Sequence, residues 1–301
     1  MAQDPRNSST TMLSGIVFLV VTATGWALGW SAMKVLLHSW PPLFARGLAG
    51  VVASIGLAAL ALSRGESLRV PRAAFPRLAF AAFTNVFAWM GFSSLSMKWV
   101  SVPEAILLVF TMPIWATLLA WPIRGQPPTG RSVTALLLGL AGVVVLLSGQ
   151  DFSAVSGAAL GVTFALGAAL LFALGVVLNG APQPLPPVAG AALQVGLGCL
   201  PMAALGLAFE HPVLSALTPL GLATFAYTTV IGMGVCYLTW FATLRRLPPA
   251  TAAVGMLLVP LTGIVSSAFL IGEPLGQHEL VAVALTLGGV TLALTGSHRR
   301  A

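Results

Sequence analysis

The sequence predicts an all-α integral membrane protein: ten transmembrane helices as two inverted five-helix repeats, with N- and C-termini cytoplasmic. Three observations lead there. Of the 301 residues 57% are hydrophobic and 7% charged, with a mean hydropathy of +0.97. A soluble globular chain carries about 25% charged residues, and too little polar surface remains here to coat a core facing water. Apolar runs of about 20 residues, the length that crosses a ~30 Å hydrocarbon layer as helix, recur along the whole chain. Finally, the second half repeats the first.

The first run begins near Met12, after a polar start without a cleavage-site pattern, so it is expected to be a span rather than a signal peptide. The second begins near Pro41, where Ser39-Trp40-Pro41-Pro42 punctuates a short connection. The third starts near Phe75, after a loop holding Arg64, Arg69 and Arg72. The fourth starts near Ser101 and stops at Gly125-Gln126-Pro127-Pro128; the fifth starts near Gly130. The sixth is expected from Val155, and the seventh from Pro186, behind Pro182-Gln183-Pro184. The eighth, ninth and tenth begin near Ala216, Pro249 and Gln277. Ten spans of about 22 residues leave about 80 for termini and loops, too few for a soluble domain.

Basic residues set the orientation. With a cytoplasmic N-terminus, eleven arginines fall inside: Arg6, Arg64, Arg69, Arg72, Arg77, Arg124, Arg131, Arg245, Arg246, Arg299 and Arg300. Lys34, Arg46 and Lys98 fall at outer ends. That is a positive-inside bias, and it explains the net charge of +7 as topology rather than as a nucleic-acid surface.

A shift of 147 residues places Pro113 on Pro260, Gly125 on Gly272, Pro127 on Pro274, Gly142-Val143 on Gly289-Val290 and Gly149 on Gly296. A shift of 146 places Trp26-Ala27-Leu28-Gly29 on Phe172-Ala173-Leu174-Gly175, Pro41 on Pro187 and Gly50 on Gly196. Met90-Gly91 and Met233-Gly234 align at 143. Residues 1–150 and 151–301 are thus read as two repeats. Five spans is an odd number, so the second copy must be upside down in the membrane. Matching loops carry opposite charge habits, as inversion requires: Arg124 and Arg131 against Glu273, His278 and Glu279.

Catalytic chemistry finds no footing. The only aspartates, Asp4 and Asp151, lie outside the spans, and His38, His211, His278 and His298 are scattered over loops and termini. Cys199 and Cys236 lack metal or redox spacing and read as small buried thiols. No enzyme activity, metal or cofactor is expected, and no filter-like loop or charged ring marks a channel. Two equivalent halves that can exchange conformations expose one central site to each side in turn. The expectation is a secondary transporter of the cell inner membrane, in contact with lipid and a small-molecule substrate, with no nucleic-acid partner; the sequence leaves the oligomeric state open.

Leu108-Val109-Phe110-Thr111-Met112-Pro113, paired with Met256-Leu257-Leu258-Val259-Pro260, resembles the fourth span of the EamA repeat. Ile271-Gly272-Glu273-Pro274 and Gly289-Val290 extend the likeness. Two such repeats resemble the drug/metabolite transporter superfamily, and the tryptophan-rich first and third spans are most similar to YddG-type exporters of aromatic and other neutral amino acids. Gly125-Gln126-Pro127 departs from the family's usual Gly-Glu, a change expected to affect packing more than substrate. The resemblance implies amino-acid export; a drug or metabolite exporter on the same fold, or a structural or lipid-handling protein, are the alternatives.

Mid-span polar and aromatic residues point to the site. The substrate-binding candidates are Trp26, Asn85, Trp89, Thr111, Gln194 and Tyr227. Four have a competing role: Trp26 and Trp89 in helix packing, Asn85 in bridging helices, and Thr111 in bonding its own backbone. Trp30, Trp40, Trp99 and Trp121 are read as interfacial aromatics. Arg46 and Glu104 are expected near the outer surface, paired or reaching to headgroups, without a transport role. The resulting pocket is neutral, aromatic and amide-bearing, suited to a zwitterionic amino acid. Pro113 and Pro260 are hinge candidates, since a proline inside a helix removes one i→i−4 bond and kinks it.

Overall fold

The computed structural model describes residues 5–148, 157–179, 184–248, 251–252, 255–273 and 275–296, which form helices and loops with no strand. The helices are α1 (Pro5–Leu36), α2 (Pro42–Ser63), α3 (Phe75–Ser96), α4 (Val102–Arg124) and α5 (Gly130–Ser148) in the first half. The second half holds α6 (Ala158–Leu178), α7 (Pro187–Glu210), α8 (Pro219–Leu244), α9 (Leu258–Ile271) and α10 (Gln277–Gly296). Seven of them, α1 to α4 and α6 to α8, are long and apolar enough to cross a membrane; α5 and α9 are shorter apolar helices. Gly149, Asp151, Val155, Pro182, Gln183, Pro249, Pro274, Arg299 and Arg300, used in the sequence argument, lie outside the described residues.

Helix starts follow local chemistry. Proline occupies the first position of α2, α7 and α8, where its missing N–H costs nothing. Ser101 and Glu104 form a capping box on α4: the Glu104 carboxylate accepts the Ser101 amide at 2.7 Å, and Ser101 Oγ accepts the Glu104 amide at 3.4 Å. Gly125 and Gly272, equivalent in the repeat, stop α4 and α9 at φ of 64° and 70°, a left-handed turn that glycine enters without strain.

Packing repeats as reciprocal pairs. The Glu210 carboxylate accepts the Leu43 and Phe44 amides at the start of α2 (3.3 and 2.9 Å), and the Glu66 carboxylate accepts the Ala189 amide at the start of α7 (2.7 Å). Each carboxylate, following one helix, thus caps the other, so α2 and α7 run antiparallel. Small residues let them approach: a Cβ on Gly47 would lie 2.7 Å from Ala203 Cα, and one on Gly50 would lie 2.6 Å from Cys199 Cβ. The same exchange joins α5 to α10, where Gly142 meets Thr286 and Gly289 meets Gly139. It recurs once more inside the protein: Trp26 of α1 meets Gly232 of α8, and its equivalent Phe172 of α6 meets Trp89 of α3. On the outside, apolar side chains such as Phe269 (85% exposed) and Phe209 (75%) face outward, as lipid contact requires.

Four of the long helices lose regular α geometry, α7 only in its last turn at Gly206–Glu210. α3 contains a π-helical segment at Phe83–Phe92 and α8 one at Tyr227–Val235, at corresponding places in the two halves. α4 is broken: its first part ends at Val109 and its second restarts at Met112. This differs from the simple kink expected at Pro113. By ending one segment and starting another, the chain puts Pro113 in a first helical turn, where no N–H is missed. Pro260 likewise lies in the first turn of α9.

Candidate functional site

Between the two halves lies a cavity of about 380 Å³. α1 brings Trp26, Trp30 and Met33 to it, α2 brings Arg46, α3 brings Asn85, Trp89, Met90 and Ser93, and the α3–α4 turn brings Met97. The break in α4 contributes Phe110 and Met112, α6 Phe172 and α7 Gln194. α8 contributes Thr228, Met233, Tyr237 and Trp240, while Met256 comes from the turn before α9 and Val259 from its start. The irregular helices thus line the cavity. A π segment shifts the residues that follow it around the helix and is frequent at functional sites.

The aromatic walls are built from ring on ring. Trp26 packs against Tyr237 edge-on at 5.7 Å and against Trp240 at 6.1 Å, and its Nε1 donates to the Gly232 carbonyl at 2.8 Å. Opposite, Trp89 lies 4.5 Å from Phe172 and 6.2 Å from Phe110. The polar groups are less engaged. Asn85 Oδ1 accepts from Thr84 Oγ1 at 3.2 Å, but neither its amide nitrogen nor the Gln194 amide has a hydrogen-bond partner among the described residues. Arg46 Nε is buried and has none either.

Of the six sequence candidates, Trp26, Asn85, Trp89 and Gln194 sit on the cavity wall. Thr111 and Tyr227 do not line it. Thr111 is 3% exposed and knits the break in α4, donating to the Leu108 carbonyl at 2.6 Å and accepting from Trp115 Nε1 at 3.1 Å. Tyr227 turns toward α1 and donates to the Gly25 carbonyl at 3.0 Å. Mid-span polarity singles out both residues but does not say which way a side chain turns, and a 3.6-residue period cannot follow a face across a break or through a π segment. Tyr237, not singled out from the sequence, lines the cavity, as does Thr228, whose hydroxyl donates to the Thr224 carbonyl at 2.8 Å.

Trp30, read as interfacial, lines the cavity instead, whereas Trp121 is 56% exposed as such a role requires. Arg46 is a larger departure: it makes no ion pair with Glu104, which serves the α4 capping box. The cavity is therefore not neutral. Its signal is present in the sequence as a lone arginine within an apolar run, where an ion pair with Glu104 or contact with headgroups is the expectation.

One end of the cavity is latched by Lys34, at the C-terminus of α1. Its ammonium donates to the Met97 and Val100 carbonyls (2.7 and 3.3 Å) and lies 3.8 Å from the Glu273 carboxylate, tying α1 to the α3–α4 turn and to the loop after α9. Far along α1, Thr22 Oγ1 and Thr239 Oγ1 share a 2.7 Å hydrogen bond that clamps α1 to α8.

The EamA-like transporter family matches residues 13–148 and again 159–295, one match for each half. This chain belongs to that family. It is a member of the drug/metabolite transporter superfamily and a transporter, not an enzyme. The uncharacterized transporter YvbV of Bacillus subtilis is 25% identical over 99% of this chain and 95% of its own length. The uncharacterized inner membrane transporter YedA of Escherichia coli K12 is 26% identical over 91% of this chain and 88% of its own. A protein of Streptantibioticus cattleyicolor named a probable terminal-alkyne amino-acid exporter is 27% identical over 91% of both chains. With its apolar helices, this EamA transporter is a multi-pass protein of the inner membrane.

Proposed function

We propose that this transporter exports neutral amino acids, aromatic ones foremost, by alternating access. Ten crossings in two inverted five-helix repeats, residues 1–150 and 151–301, would leave both termini cytoplasmic. The reciprocal α2–α7 caps and the positive-inside charge bias support that arrangement. In this orientation the Lys34 latch closes the outer side, and its release opens the cavity outward.

The observation that carries the reading is the cavity itself. Opposed ring clusters around Trp26 and Trp89 suit an apolar or aromatic side chain, and the free Asn85 amide nitrogen and the Gln194 amide suit the backbone groups of an amino acid. Trp26, Asn85, Trp89 and Gln194 are the contact residues in this proposal, with Thr111 and Tyr227 holding the wall from behind. The relative named a probable terminal-alkyne amino-acid exporter supports this reading.

The test is uptake by proteoliposomes of purified protein, with labelled phenylalanine and a panel of unlabelled solutes as competitors. Phenylalanine, tryptophan and leucine should compete; lipophilic cations should not. Uptake of cations without amino acids would make the chain a drug exporter, and no uptake of either would remove the transport proposal.

A further inference from the structure

Arg46 lies four residues into α2, with its side chain on the cavity wall and its buried Nε without a hydrogen-bond partner. Among the described residues it has no ion pair. Glu210, the carboxylate that reaches the same end of α2, is already engaged by the Leu43 and Phe44 amides. Among the described residues no aspartate or glutamate lines the cavity. A buried guanidinium on a cavity wall without a counter-charge is costly, and such a residue inside an apolar helix marks a substrate path by default.

The repeat supplies a control. The position equivalent to Arg46 is Ala192, buried at 3% exposure in the same α2–α7 packing. The fold therefore does not need a cation there. The charge belongs to one half only, as expected of a group that serves a substrate rather than the scaffold.

The geometry points to Arg46 as a carboxylate anchor. Its planar fork of donors matches the two oxygens of a carboxylate, while the neighbouring rings of Trp26, Trp89 and Tyr237 take an apolar body. The cavity then selects monocarboxylates with an apolar or aromatic side chain and rejects solutes that carry an amine alone. This deepens the amino-acid reading above and rests on the same cavity.

Three matched ligands test it by thermal stabilisation of the purified protein: L-phenylalanine, 3-phenylpropionate, which lacks the amine, and phenethylamine, which lacks the carboxylate. Wild-type protein should respond to the two carboxylates at concentrations at least about tenfold below those needed for phenethylamine. Arg46→Gln should weaken both carboxylates about ten- to hundred-fold and leave phenethylamine unchanged. Arg46→Lys, which keeps the charge without the fork, should fall between.

Equal wild-type responses to phenylalanine and phenethylamine would overturn the anchor and leave the amino-acid reading standing. Binding of 3-phenylpropionate without phenylalanine would do the reverse. A folded Arg46→Gln with wild-type carboxylate affinity also overturns the anchor, and no binding of any of the three removes both. Should Arg46→Gln fail to fold, the wild-type series and Arg46→Lys still decide.

Discussion

Replacing Trp89 with alanine should change which amino acids are carried more than whether any is carried. Trp89 is half-buried, with one part of its indole against Phe172 at 4.5 Å and Phe110 at 6.2 Å and the rest facing the cavity. A substrate ring on that free surface gains about 0.5–1.5 kcal/mol from the aromatic contact beyond simple burial. At about 1.4 kcal/mol per tenfold, loss of the ring should weaken phenylalanine about 2- to 10-fold relative to alanine. Truncation also opens space beside Phe172 and lowers stability, so yield and absolute rates will fall as well. The ratio of apparent affinities for phenylalanine and alanine, measured by competition in the same proteoliposomes, is independent of how much protein survives. Trp89→Phe keeps a ring at the site and should retain most of the ratio. If the Trp89→Ala ratio equals that of wild type, or if Trp89→Phe loses as much as Trp89→Ala, the ring does not contact substrate.

Two further outcomes are expected. Glu66→Ala and Glu210→Ala each remove a carboxylate that caps a helix start in the partner half, and each should cost about 1–2 kcal/mol of stability, read as a lower melting temperature in detergent; unchanged melting in both would remove the reciprocal caps as a stabilising device. Pro113→Ala and Pro260→Ala restore an N–H beside the breaks before α4's second part and α9, favouring continuous helix. Their effects should be opposite, one raising and the other lowering labelling of a cavity cysteine from the outer side, and identical labelling in both variants would make the prolines scaffold rather than hinges.

Whatever depended on counting along the chain was legible in the residues. Apolar run length separated α2, α3 and α4 because lipid imposes one length on every helix that crosses it. The duplication was legible because Gly125 and Gly272, or Pro113 and Pro260, solve the same backbone problem twice. Trp26, Asn85, Trp89 and Gln194 could be picked out as polar or large groups within apolar runs, which is where their placement on the cavity began. Thr111 and Tyr227 were chosen by the same rule, yet the tertiary structure turned them away. A 3.6-residue period cannot follow a face through the broken α4 or the π segment of α8, where the hydrogen-bond spacing itself changes. Arg46 shows the deeper limit. Its identity and its apolar surroundings are written in the chain, but whether a carboxylate neutralises it depends on which distant residues reach α2. Ser101 and Glu104 form a local capping box, but only the packed structure decided that Glu210 would cap α2, leaving Arg46 unpaired on the wall of the cavity.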